Sequence, residues 1–280
     1  MFRRLQTVAG ASFGPIIVSA LSFIISFSLI HNLALLLHPS FSLFALNGVG
    51  KIAVMTAALV QALCLVAIQP KSLFMFFRHA ATWPFYSSCM RTFLQYAGSF
   101  ALLHLIVLGG YFFTGHASFN AYAIPQLLTR WPLVLLCVIG TFFLAWAEEL
   151  LFRGLIYPYF RQHYSMMTSA IIASTIFMLL HDLHNPLSLV TYQWQLGLGL
   201  FLLGLFLNLV MVWQKSIAAG AGVHAGLVVV KAILRKIHIL PLAAGSPYLF
   251  PIDLRQSLFV HLLLSAGIAF VWNKMTKKAS

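Results

Sequence analysis

The residues best equipped for chemistry stand side by side. Glu148 and Glu149 are the only glutamates in the chain, and they lie in the apolar stretch FFLAWAEELLFRG. A carboxylate inside lipid is costly, so an ionisable residue in such a run is a functional hypothesis by default. Two adjacent carboxylates repel unless a cation or a shared proton compensates them. Arg153 follows Glu149 by one helical turn on the same face, which leaves Glu148 the less neutralised of the two. A second apolar stretch, FMLLHDLHN, ends in titratable groups at His181, Asp182 and His184. A third, AAGAGVHAGLVV, carries His224 among small residues that let a neighbouring helix or a substrate come close. Taken singly, each has a plain structural reading: the glutamates end a helix at an interface, and a lone histidine packs in a bundle. Three such sites on three apolar runs favour chemistry. A glutamate with histidines can activate water for hydrolysis and stabilise the charge that develops. Glu148, His181 and His224 also form a donor set suited to one divalent ion such as zinc, with a position left open for water.

The elements that must position these residues are membrane helices. Of 280 residues, 61% are hydrophobic and 8% charged, against about 25% charged in a soluble domain. No water-facing globule can be covered by so little polar surface. The expected fold class is all-α: one polytopic transmembrane bundle of about eight spans over residues 1–280, with no separable soluble domain. With about 20 apolar residues needed per span, the candidates are 14–37, 52–68, 93–114, 132–152, 167–180, 196–213, 217–233 and 258–272. Trp83, Trp131, Trp213 and Trp272 fall near span ends, as interfacial belts require. The sixth and seventh spans are rich in glycine, and Gly222 with Gly226 forms a GxxxG. That spacing lets helices approach closely, so these two spans are expected to pack together at the bundle centre.

The chain has 17 Lys and Arg against four Asp and Glu. The basic residues sit in short connectors, so the excess reads as membrane orientation and lipid contact, not nucleic acid. With an even number of spans both termini share a side. Placing them in the cytoplasm puts 11 Lys/Arg in inner segments and 6 in outer ones. A cell inner membrane is the expected location. Lys231, Arg235 and Lys236, just after the seventh span, run against this assignment. Cys64, Cys89 and Cys137 have no paired spacing, so a disulfide framework is not expected. The GxSxG at residues 10–14 precedes a span instead of a strand-to-helix elbow, so it does not mark a serine nucleophile.

In order along the chain, EELLFR (148–153) reads as EExxxR, FMLLH (177–181) as FxxxH, and HAGLV (224–228) as HxxxN with its last position changed. Over 133–233 the chain resembles the CPBP family of intramembrane proteases, also called Abi or CAAX-protease-like. The resemblance implies an eight-helix bundle with a site near the cytoplasmic side, acting on a membrane-associated protein or peptide, prenylated or not. It implies Glu148 as the base that activates water, His181 beside it, His224 on the tetrahedral intermediate, and Glu149 with Arg153 as a supporting pair. Val228 stands where the family has Asn or Asp. Losing one oxyanion donor costs on the order of 100- to 1000-fold in rate, and Asn208 and Asn185 are the candidate substitutes. The alternative is a weak or inactive relative that acts as a membrane binding or bacteriocin-immunity protein. A proton-relaying transporter is the third reading, without the internal repeat such proteins often show.

Overall fold

A computed structural model describes residues 84, 86–118, 120, 125, 128–182, 186–237, 251 and 253–279. Among them every regular element is helical: α1 (Ser87–Phe113), α2 (Trp131–Leu151), α3 (Tyr157–Arg161), α4 (Met166–Leu179), α5 (Trp194–Gln214), α6 (Ile217–Ile237) and α7 (Leu258–Ala279). The first two expected spans, His184 and Asn185 lie outside the described residues. The other six expected spans each correspond to one of α1, α2, α4, α5, α6 and α7. Four helices are long and apolar enough to cross a membrane by length and composition: Ser87–Phe113, Trp194–Gln214, Ile217–Leu234 and Leu258–Lys277, with Met166–Asp182 as a shorter apolar helix.

The helix that carries the glutamates does not stop where its apolar run stops. A π turn, Phe152–Ile156, joins α2 directly to α3, and the Tyr157 N–H donates to the Phe152 carbonyl five residues back. Pro158 explains the widening. It has no N–H for the Gly154 carbonyl one turn back, and its ring crowds that carbonyl. The helical run therefore continues to Arg161, and Glu148 and Glu149 lie well inside it. The reading of the pair as a mere helix end does not hold.

Chain reversals then set the depth of the site. Arg161 donates to the Tyr164 carbonyl in the turn, and the Ser165 hydroxyl caps α4 by accepting from the Thr168 N–H. Counted from that turn at 162–165, Glu148 lies 14 residues before and His181 16 after. At about 1.5 Å per helical residue they come back to nearly the same depth. The α5–α6 reversal is tighter still. Lys215 takes the left-handed conformation at φ 50°, with Ser216 N–H bonded to the Met211 carbonyl and Lys215 N–H to the Val212 carbonyl. This is a Schellman closure made without glycine.

Helices α5 and α6 are the most enclosed of the four candidate spans. The glycines place the other helices around them. A side chain at Gly222 would meet the Phe93 carbonyl at 2.5 Å, and one at Gly226 would run into the Ala97 carbonyl. The GxxxG therefore seats α1 on α6, not α5 on α6 as its place in the sequence implied. A small-residue motif marks that a helix approaches closely, but not which helix. Gly204 on α5 receives Ser174 and Phe177 of α4. Gly197 and Gly199 admit the carbonyls of Leu189 and Arg255, pinning two short 3-10 turns, Pro186–Leu189 and Leu254–Gln256, onto the start of α5.

Candidate active site

At the centre is a charged group with no exposure. Glu149 and Arg153 are both fully buried, and the Arg153 guanidinium donates to Glu149 Oε1 at 3.1 Å. Its other amino group donates to the Gly204 carbonyl at 3.1 Å, which fastens α2 to α5. The Phe177 ring lies beneath that guanidinium, 5.1 Å from its carbon to the ring centre. A cation desolvated against an aromatic face gains about 2 kcal/mol. Gly220 makes room for Glu149: a side chain there would sit 3.0 Å from Glu149 Oε2.

His224 on α6 is buried between the two carboxylates. Its Nδ1 lies 3.4 Å from Glu149 Oε1 and its Nε2 3.6 Å from Glu148 Oε2. Glu148 itself is partly open, with 23% of its side chain exposed. That exposure matters because a buried, sealed carboxylate could not meet a substrate. Its Oε2 atom is buried and has no hydrogen-bond partner.

His181 stands at the end of α4, exposed, on the 3-10 turn Leu180–Asp182. Its Nδ1 lies 2.7 Å from the Phe177 carbonyl. A carbonyl can only accept, so Nδ1 carries the proton and Nε2 keeps its lone pair. Its ring packs on Phe177 at 4.3 Å between centres, and His224 reaches the same phenyl ring at 6.2 Å. Phe177 is thus the shared floor of His181, His224 and Arg153. The FxxxH spacing carries that signal: four residues apart on one helix means one face.

The four acidic residues of the chain differ in how they are held. Glu149 is held by Arg153. Asp182 accepts from the Ser188 hydroxyl at 2.7 Å. Asp253 binds Arg255 at 2.6 Å and Lys231 at 3.0 Å. Burial alone would raise the Asp253 pKa, but the hydrogen bonds and charges of Arg255 and Lys231 outweigh it and hold the carboxyl well below the usual carboxylate range. Lys231, whose charge argued against the expected topology, is compensated here by Asp253. Among the described residues, Glu148 has no Lys or Arg within ion-pair distance, and its one such contact is His224.

Two expected substitutes for the missing amide are settled differently. Asn208 points its amide at α4, donating to Ala170 O at 3.3 Å and Ser174 Oγ at 3.1 Å. Asn185 is outside the described residues. For a metal, no three His, Cys, Asp or Glu side chains among the described residues are placed to share an ion. Glu148 and His224 pair with each other, while the His181 ring lies against Phe177. As placed, the donors do not fit one ion, and no step below passes through one.

Residues 129–230 match the family described as Rce1-like, type II CAAX prenyl endopeptidase Rce1-like, over just over a third of the chain. The matched segment holds α2 to α6 up to Val230, and with them Glu148, Glu149, Arg153, Phe177, His181 and His224. No curated protein matches the chain.

Proposed function

We propose that this integral membrane protein, whose residues 129–230 match the Rce1-like CAAX endopeptidase family, is a glutamate-dependent intramembrane endopeptidase. Its substrate is a membrane-associated protein or peptide, prenylated in the family's description. The observation that carries the mechanism is Glu148: a half-open carboxylate with a buried, unpartnered oxygen beside His224.

A water held between Glu148 Oε2 and His181 Nε2 donates both protons to acceptors. Glu148 takes one proton as the oxygen attacks the scissile carbonyl carbon and the new C–O bond forms. The carbonyl oxygen becomes the oxyanion, next to the N–H of the His224 ring. Glu148 then returns its proton to the amide nitrogen as the C–N bond breaks, and the remaining hydroxyl proton of the new carboxyl group passes to the amine, releasing a carboxylate and an ammonium group. Glu149 and Arg153 hold His224 from behind. Both termini are placed on the cytoplasmic side, following the Lys/Arg distribution.

The test is turnover of membrane-associated peptides by the purified protein in liposomes. Glu148→Gln keeps size and hydrogen bonding but removes the base, and should lower kcat by at least about 100-fold with unchanged thermal stability. Equal turnover by wild type and Glu148→Gln would discard this mechanism. One observation favours a second reading, a peptide-binding relative without useful turnover: Val228 offers no donor, and the Asn208 amide is committed to α4. Val228→Asn separates the two. It should raise the rate of a slow protease and create no turnover in a binding protein.

A further inference from the structure

His181 stands where a helix gives least support. The helix α4 ends at Leu179, and His181 is the middle residue of the 3-10 turn Leu180–Asp182 beyond it. Such turns have poorer hydrogen-bond geometry than an α-helix. The bond from Nδ1 to the Phe177 carbonyl sets the tautomer, but it lies within one turn and travels with that turn if it moves. The next residue ties the turn to the rest of the fold. Asp182 Oδ2 accepts from the Ser188 hydroxyl at 2.7 Å, across six positions of chain. Ser188 Oγ in turn accepts from Gln193 Nε2 at 3.3 Å, and the Ser188 carbonyl accepts from the Gln193 N–H at 2.8 Å.

Ser188 is itself fixed from both sides. It is buried, in the 3-10 turn Pro186–Leu189. The adjacent Leu189 is buried with Phe152, Phe177 and Leu200, and its carbonyl lies against Gly197 of α5, where any side chain would collide. On the other side, Gln193 is the N-cap residue of α5. A buried hydroxyl must give its proton to some acceptor, and here it goes to a carboxylate, the stronger kind of hydrogen bond. The start of α5, Ser188, Asp182 and the His181 backbone thus form one continuous path. Asp182 does not orient the imidazole directly, because His181 Nδ1 already donates to the Phe177 carbonyl.

We infer that Ser188 is a positioning residue, which through Asp182 holds the 3-10 turn so that His181 Nε2 stays at the attacking water. The inference rests on the protease reading and adds to it the device that sets the histidine's place. Displacing a reacting group by about 1 Å can cost on the order of 100-fold in rate. Ser188 acts only through Asp182, so its loss should leave substrate binding alone and slow the chemical step. Asp182 serves as the oxygen that receives the Ser188 proton, a part that a neutral amide oxygen can also play.

Turnover of membrane-associated peptides in liposomes gives the first readout. Ser188→Ala should lower kcat by at least about tenfold with KM unchanged, and Asp182→Ala should do the same. The double variant should be no slower than the worse single one, because both break the same path. Asp182→Asn keeps an oxygen for the Ser188 hydroxyl and should recover most of the rate lost in Asp182→Ala. That pair carries the comparison without touching the buried serine. Nitrogen NMR of isotope-labelled histidine in the purified protein needs no turnover, with His181 assigned by its loss in His181→Ala. Wild type should show the single Nδ1-protonated form, and Ser188→Ala an average of both tautomers. A wild-type kcat in Ser188→Ala overturns the proposal and leaves the protease intact. Asp182→Asn as slow as Asp182→Ala overturns it too, because the charge and not the hydrogen bond is then in use. An unchanged His181 signal in Ser188→Ala overturns it whatever the turnover. If wild type cleaves no peptide but the His181 signal changes as expected, the protease reading fails while Ser188 keeps its hold on the histidine.

Discussion

Two adjacent glutamates have been given opposite surroundings. Glu149 is sealed and neutralised by Arg153, while Glu148 keeps an open side and, among the described residues, has a histidine as its ion-pair contact. The difference follows from helix geometry. Neighbouring helical residues point about 100° apart, so Glu149 faces the α5–α6 core while Glu148 stays partly exposed. The sealed pair makes a prediction that the open residue does not. Arg153→Met leaves Glu149 buried without its cation, and breaking a buried pair in this way costs about 3–5 kcal/mol. The expected outcome is a large drop in Tm in detergent, with loss of folded protein on expression. Glu148→Gln should show a normal Tm. A melting comparison of the two variants checks this directly. If Arg153→Met melts like wild type, the pair is not structural.

At the scale of elements, the site depends on how closely α1, α4 and α6 approach their neighbours. Gly226 is the sharpest case, since any side chain there meets the Ala97 carbonyl, a backbone atom that cannot swing aside. Gly226→Leu should force α1 off α6 and destabilise the protein by about 1–3 kcal/mol or more. Gly98→Ala is the control on α1. Nothing lies within 4 Å of the position, and alanine suits a helix interior better than glycine, so its Tm should be unchanged or slightly higher. Thermal melts of the two variants measure the contrast. Gly220→Ala is a finer probe of the same kind, because its new methyl would press on Glu149 Oε2 at 3.0 Å. It should reduce turnover more than it reduces stability, as a ratio of kcat to Tm change will show.

For the whole molecule, acid should weaken the fold through Asp253. Its folded-state pKa is depressed by Arg255 and Lys231 despite burial, whereas in the unfolded chain it titrates near about 4. A depressed carboxylate contributes stability that is fully present above its unfolded pKa and is lost as pH falls toward its folded value. Tm should therefore hold from neutral pH to about pH 5 and fall at lower pH. Asp253→Asn should start lower at pH 7 and show a shallower fall. Parallel acid titrations of Tm in both proteins test this, and identical slopes would remove Asp253 from the account.

The order of motifs along the chain already determined much of this. The chain carries 8% charged residues, about a third of a soluble protein's usual share, and apolar runs of span length with so few acids point to helices in lipid. The i and i+4 spacings put Glu149 with Arg153, and Phe177 with His181, on shared faces before any fold is known, because a helix has a fixed period. What the sequence could not carry was anything set by contacts between helices. It did not reveal that α1 claims the GxxxG of α6, that Asn208 is spent on α4, or that α2 runs on through a π turn past its glutamates. Nor did it reveal that Asp253 holds Lys231, 22 residues away, together with Arg255. Local periodicity is written in neighbouring residues, but the choice among several apolar faces is decided by which of them pack without leaving a charge or a carbonyl unpaired, and only the assembled bundle makes that choice.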